Sequence, residues 1–512
     1  MPSFDMRLES HSRRGTTRVA TATPEGWEER RVASDAVATE APPRAPERRV
    51  VRFSWAWPAV LVLVLSGYQL TRPALWADEL ATWGAVRLGW GPLLRLLGEV
   101  DAVVAPYFAL MKAWTSVAGT STLALRLPSV LAMAAAAGLL SILGARVAGR
   151  PAGLLAGLAF AVVPTTSRYA QEARPYAFAI LFAVLASLAL VWLLDRPGWP
   201  RAALYAVAVA GLGAFHLISV LLLVAHGIAV AVRRDRTRLV TWAVAAAAGV
   251  LPLLPLAWLG HRQSGQISWL TPADWRTVLA VPDTIFGAGV VGGLLIALGL
   301  LAVSRQPPAV LAAAWAVAPI LALYLVSQLT TLFWARYLLF TLPGFVLLAA
   351  LALGRLGWPR AAALLVALAL LAAPAQTAIR TPDGHNHATA AAAGVIAANE
   401  RAGDGIAYAL DEPVVPWEAR DIVARYVPAD KRPRDVFALA PQRTGGRLTA
   451  TECPDLAACL GDPPRLWVLR YQNLSDPLSG IGTAKEELLR SRYRLEKLWL
   501  LRGLTVALYV RG

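Results

Sequence analysis

Cysteine is scarce in this 512-residue chain, with Cys453 and Cys459 as the only two and five residues between them. That is too few for a disulfide scaffold, and no histidine or further cysteine stands near enough to complete a zinc site. One local disulfide remains open, provided the segment faces an oxidising compartment. Charge is scarce too: Asp, Glu, Lys and Arg make up 16%, against about a quarter in soluble domains. There is no Walker loop, dinucleotide fingerprint or zinc spacing. No apolar core with a cleavage site follows Met1, so no secretory signal peptide is expected. The apolar runs do not alternate, which excludes a β-barrel. The two halves show no convincing repeat of the kind transporters carry.

What is present is apolar: 57% of the residues are hydrophobic. Long Ala/Leu/Val runs lie between short arginine-bearing breaks, the pattern of a polytopic helical membrane protein. The net charge is +16. Because the arginines flank the apolar runs, they fit membrane topology and anionic lipid headgroups, not nucleic acid.

Residues 1–52 are polar, without apolar period, and read as a disordered tail. Arg44, Arg48, Arg49 and Arg52 precede the first apolar run and predict a cytoplasmic N-terminus. The pattern predicts about eleven spans over residues 53–379, with an outer loop at 71–121. Around 202–232 two readings stay open: two short spans turning near Phe215 and His216, or one tilted helix. From 380 to 512 the composition turns mixed polar. Strand-like runs (GIAYAL, RLWVLRY, LTVALYV) alternate with helix-like ones (AAAGVIAANERAG, AKEELLRSRY). They predict a small extracytoplasmic α/β domain, long enough at roughly 130 residues to bury its own core.

The loop from Leu75 to Tyr107 holds an adjacent acid pair, Asp78 and Glu79. Carboxylates beside a bilayer are costly unless solvated, paired or used. A positioned carboxylate takes the proton of a sugar hydroxyl as the new bond forms. The plain alternative is solvation, or pairing with Arg72 or Arg87. The next outer loop, SRYAQEARPYA, offers Arg168, Tyr169, Gln171, Glu172, Arg174 and Tyr176. Its guanidinium groups suit a phosphate; the alternative is an Arg–Glu pair in an aromatic belt. Arg336 and Tyr337, in FWARY, bring a further arginine to the same face, to hold phosphate or only to snorkel to headgroups. Asp101, with Pro106 and Tyr107 in DAVVAPYF, orients an acceptor or caps a helix. His216 and His226 read as packing residues or polar contacts within the helices. His385 and His387 form a weak metal pair without a third ligand, so no metal is assigned.

In order, these motifs resemble the GT-C membrane glycosyltransferases, the superfamily of protein O-mannosyltransferases and lipid A aminoarabinose transferases. The bacterial polyprenyl-phosphate-dependent mannosyltransferase-like branch is the nearest in pattern. The resemblance covers roughly 54–350, and its most specific parts are the Asp78–Glu79 pair and QEARPYA. It implies an inverting transfer on the outer membrane face, from a polyprenyl-phosphate sugar (mannose-like or pentose) to a hydroxyl of a glycan, lipid or protein. Asp78 matches the family's catalytic carboxylate and Glu79 its neighbour. Arg174 and Arg336 match positions near the lipid phosphate. Many relatives carry a His-Pro-type stretch where this chain has Asp101 and Pro106-Tyr107. No cofactor is implied beyond an optional divalent cation. Two other classes stay open: a transporter of lipid-linked sugar or polysaccharide, and a non-catalytic cell-envelope assembly subunit.

Overall fold

Proline and glycine divide the apolar sequence into helices in the computed structural model, which describes residues 53–410, 412 and 414–512. The polar tail expected at 1–52 lies outside the described residues. The chain begins with α1 (Ala56–Gly67), then α2 (Ala77–Val86), α3 (Trp90–Glu99) and α4 (Ala105–Ala118). Helix α5 (Thr122–Ala148) starts where the Ser121 hydroxyl accepts from the Ala124 amide, 3.1 Å away, an N-cap that satisfies one orphan donor. It stops at Gly149, whose φ of 88° turns the chain directly into α6 (Arg150–Val162). Then come α7 (Pro164–Ala170), α8 (Tyr176–Asp195), α9 (Trp199–Phe215) and α10 (Leu217–Ala231, its first turn 3-10). The helical part ends with α11 (Arg236–Arg262), α12 (Trp275–Phe286), α13 (Gly289–Ala302), α14 (Pro307–Val326), α15 (Ala335–Leu353) and α16 (Trp358–Ala378).

Among the described residues, six helices are long and apolar enough to cross a membrane, or seven if α12 and α13, bent by 99°, make one span. Helices α1, α6, α9 and α10 are apolar but shorter than the ~20 residues a full crossing takes. By length alone the count is therefore below the expected eleven.

The region around 202–232 is a reversal. Tyr205 Oη and His226 Nδ1 lie 2.9 Å apart although 21 residues separate them in sequence. A continuous helix would hold them about 30 Å apart. Helices α9 and α10 therefore run in opposite senses, with His216 at the bend.

The C-terminal region carries α17 (Thr389–Asn399), α18 (Glu418–Tyr426) and α19 (Thr483–Arg492) against a five-stranded mixed sheet. Its strand order is β2-β1-β5-β7-β6. Strands β1 (Gly405–Ala407), β2 (Arg434–Asp435) and β5 (Arg465–Tyr471) are parallel, while β6 (Tyr493–Leu501) and β7 (Leu504–Arg511) join antiparallel. A short hairpin, β3 (Ala438–Ala440) with β4 (Thr451–Glu452), stands apart. Cys453 and Cys459 form a disulfide just past β4.

One apolar core fills the helical bundle. A second joins the first loop to the C-terminal region: Leu80, Leu93, Leu97 and Tyr107 pack with Ile396, Ile422, Trp467 and Val506. Residues 75–118 are thus held between the bundle and the sheet.

Candidate functional site

Helix α2 opens with Asp78 and Glu79 in its first turn, where carboxylates complement the positive end of the helix dipole. Every residue of α2 is buried. Neighbouring residues on a helix point about 100° apart, so the two acids meet different surroundings.

Glu79 turns inward, to Arg126 of α5. Arg126 donates from Nε to Oε1 at 2.8 Å and from Nη2 to Oε2 at 2.7 Å. The Ala173 amide adds a bond at 3.0 Å to Oε1, and His385 Nδ1 stands 3.6 Å from Oε2. Arg126 also donates to the carbonyls of Leu70, Pro73 and Ala74. Burial alone would raise the Glu79 carboxyl, but the charge and hydrogen bonds of Arg126, helped by His385, hold it well below the usual carboxylate range. With both oxygens engaged and no exposure, Glu79 has the geometry of a strut. The expectation of a second catalytic acid there does not fit these contacts.

Asp78 faces the other way. Its Oδ2 lies 2.8 Å from Arg336 Nη1 and 3.8 Å from Arg174 Nε. Neither contact has hydrogen-bond alignment: Oδ2, Arg174 Nε and Arg336 Nε are all buried without a hydrogen-bond partner. The expected segments thus meet at this carboxylate, with unspent bonding capacity on both sides of the charge pair. Burial opposes the Arg174 charge, but Asp78, Tyr176 and Asp101 outweigh it.

Aromatic rings collar the pair. Arg336 Cζ sits 5.5 Å from the Trp76 ring centre, 5.8 Å from Trp334 and 6.0 Å from Tyr176, within cation–π range. His216, at the α9–α10 bend, lies 5.6 Å from Tyr176 and 5.4 Å from Tyr337. Tyr169 closes on Tyr176 at 5.3 Å.

The other expected residues are spread around this centre. Arg168 pairs with Glu172, donates 2.8 Å to the His385 carbonyl, and covers Trp76 at 5.7 Å. Burial raises the Glu172 carboxyl despite Arg168. Gln171 points away from the site; its amide donates to the carbonyls of Ser66 and Tyr68 at 2.7 and 3.0 Å and fastens the end of α1. Tyr107 is fully buried with its hydroxyl unpaired, and burial pushes the phenol well up. Asp101 stands at a helix-cap position with φ 60° but makes no side-chain capping bond. Burial raises its carboxyl, with Arg174 opposing.

Arg126 and His385 were not singled out from sequence as site residues. The available signal for Arg126 was an arginine five residues into the apolar run, too deep to be a flank. His216 packs on Tyr176 and Tyr337 and keeps its Nδ1 2.9 Å from Ser219 Oγ in its own bend, and His226 is held by Tyr205 and Ser187. His385 and His387 serve different carboxylates, Glu79 and Glu418. Among the described residues no three His, Cys, Asp or Glu side chains converge as metal ligands. Arg87 lies over Trp83, 4.4 Å away, and is no partner of the acid pair.

No protein-family model and no curated protein matches the chain. Solved structures do. ArnT from Cupriavidus metallidurans, in the apo state, is 13% identical over 88% of this chain and 97% of its own, with a TM-score of 0.55. The same protein bound to undecaprenyl phosphate gives 12% identity, the same coverage and a TM-score of 0.55. The oligosaccharyltransferase of Archaeoglobus fulgidus is 11% identical over 83% of this chain and 70% of its own, with a TM-score of 0.51. At such identities the likeness is one of architecture: the chain shares the polytopic helical fold of these ArnT and oligosaccharyltransferase structures.

Proposed function

We propose that the protein is an inverting glycosyltransferase, moving a mannose-like or pentose sugar from a polyprenyl-phosphate donor to an acceptor hydroxyl on the outer membrane face. The observation that carries this reading is Asp78 Oδ2, buried and without a hydrogen bond, between two guanidinium groups with unpaired Nε atoms. Asp78 takes the acceptor proton as the hydroxyl oxygen bonds to the anomeric carbon. The bond from that carbon to the phosphate oxygen breaks on the opposite side, inverting the centre. Arg174 and Arg336 receive the phosphate and stabilise its growing charge. Tyr176, Tyr337 and His216 wall the sugar, while Glu79 and Arg126 hold α2 in place.

Two further observations support the reading. One fold neighbour was solved bound to undecaprenyl phosphate, a polyprenyl phosphate of the class proposed as leaving group. The bend at His216 puts the site at one end of the bundle and Arg233, Arg234, Arg236 and Arg238 toward the other. That arrangement suits a site outside and a basic face inside. On this reading residues 53–379 make about eleven passages, some short. The N-terminus is then cytoplasmic and residues 380–512 extracytoplasmic, where a Cys453–Cys459 disulfide is stable.

The test is release of polyprenyl phosphate from a labelled polyprenyl-phosphate sugar by the reconstituted protein. Asp78→Asn should reduce release by about 10²–10⁴-fold while the protein still folds and inserts. Near-normal turnover by this variant would end the assignment. Movement of the lipid across the bilayer without release would make the protein a carrier.

A further inference from the structure

The C-terminal end of α2 borders a second polar cavity, a cleft of about 570 Å³ between α2, α18, β2–β3 and the loop before Arg443. Its wall includes Trp83, Arg87, Asp421, Arg432, Gln442 and Arg443. Arg443 donates to Asp421 through both terminal nitrogens, at 3.0 and 2.7 Å. Gly84 makes room for it: a Cβ there would fall 2.2 Å from Arg443 Cζ. Three polar atoms of this wall are buried without partners, namely Trp83 Nε1, Gln442 Oε1 and Arg443 Nε. Trp83 is only 4% exposed. An unpaired buried polar atom is costly unless something meets it.

The charge balance is cationic. Arg87 and Arg432 are exposed, and neither has a carboxylate within ion-pair distance among the described residues. Arg443 and Asp421 neutralise each other. Asp78 and Arg87 are nine residues apart along one helical stretch, about 14 Å and about half a turn round its axis, so the cleft lies on the face of α2 turned from Asp78.

We infer that this cleft binds a saccharide bearing anionic groups, carboxylate or phosphate. Arg87 and Arg432 meet the anionic groups, and hydroxyls meet Trp83, Gln442 and Arg443. A polyol with charges uses donors and acceptors interleaved in this way, whereas a plain hydrocarbon surface would use neither. The inference stands apart from the assignment of Asp78 as the base.

The experiment is equilibrium binding to the full-length protein in lipid nanodiscs. The probes are a galacturonic acid trimer, a phosphorylated mannose trimer, a neutral galactose trimer and triglutamate. At least one acidic saccharide should bind, and the neutral one at least tenfold more weakly. Arg87→Gln and Arg432→Gln should each weaken it about tenfold, and the preferred acidic probe tells carboxylate from phosphate. Equal binding of the neutral trimer, equal binding of triglutamate, no binding of either acidic saccharide, or unchanged affinity in both variants would each overturn the inference. Asp78→Asn should bind as the parent does. Failure of that variant to lose transfer defeats the base while leaving these affinities standing.

Discussion

At the scale of single residues, adjacency in sequence hides a division of labour between Asp78 and Glu79. Glu79 sits in a closed ion pair with neither partner exposed. Removing one member of such a pair strands the other, at a cost of about 3–5 kcal/mol. Glu79→Gln should therefore lower thermal stability in detergent by that order, while Asp78→Asn should cost less, because the Asp78–Arg336 pair is partly exposed. The pH dependence follows from the sign of the shift. The Glu79 carboxyl is depressed in the folded state, and its ordinary value is 4.5. Its contribution is thus complete above pH 4.5 and drains away as the pH falls toward the folded-state value. An acid-unfolding curve should be flatter for Glu79→Gln than for the parent; parallel curves would remove Glu79 from the account. Arg336→Lys keeps the charge but loses the planar fork. It should lower kcat/KM for transfer roughly ten- to a hundredfold, and an unchanged value would take Arg336 off the phosphate.

Asp78, Arg174 and Arg336 were legible in sequence for one reason: each is a charged residue beside an apolar run, where an idle charge is expensive. Glu79's inward turn was not legible. Which of two adjacent acids faces a pocket depends on the rotation of α2, and α2 is oriented by Arg126, 47 residues further on. Gln171 misled for a similar cause, since its partners are backbone carbonyls at the end of α1 and carry no side-chain signature.

At the scale of elements, the site depends on helices packed at backbone contact. A Cβ on Gly153 of α6 would lie 2.3 Å from the Ser141 carbonyl oxygen of α5. Only glycine allows that approach, and small residues are how membrane helices come close. Gly153→Leu must push α5 and α6 apart, and with α5 goes Arg126. The expected result is a loss of about 1–3 kcal/mol and a weaker hold on Glu79, seen as a lower unfolding temperature together with reduced transfer. Retained stability with full activity would show the contact to be slack. Element identity was readable from apolar period and from proline and glycine breaks. The hairpin at His216 was open between two readings, because arginine flanks give parity and not geometry. The Tyr205–His226 pair decides it.

At the scale of the molecule, the first loop and the C-terminal region are one folded body more than two. The expected small domain has its strand-like runs in β1, β5 and β7, and the sheet was legible as far as period-2 patterning reaches. Its partner was not, because apolar residues in a loop do not announce what covers them. Leu80, Tyr107, Trp467 and Val506 belong to a common core, and the Trp417 indole donates 2.8 Å to the Ala77 carbonyl at the head of α2. The Leu75 amide likewise donates to Tyr426 Oη at 2.7 Å. The C-terminal region, through α18, therefore bears on the position of Asp78 at the two ends of one short segment. Ending the chain after residue 379 should leave the bundle inserted but free residues 75–118, which lose their apolar cover. Limited proteolysis should then cut that loop while sparing the spans, and transfer should fall to background even with Asp78 intact. If the truncated chain kept a protected loop, the shared core would be dispensable, and residues 380–512 would be an appendage to a self-sufficient bundle.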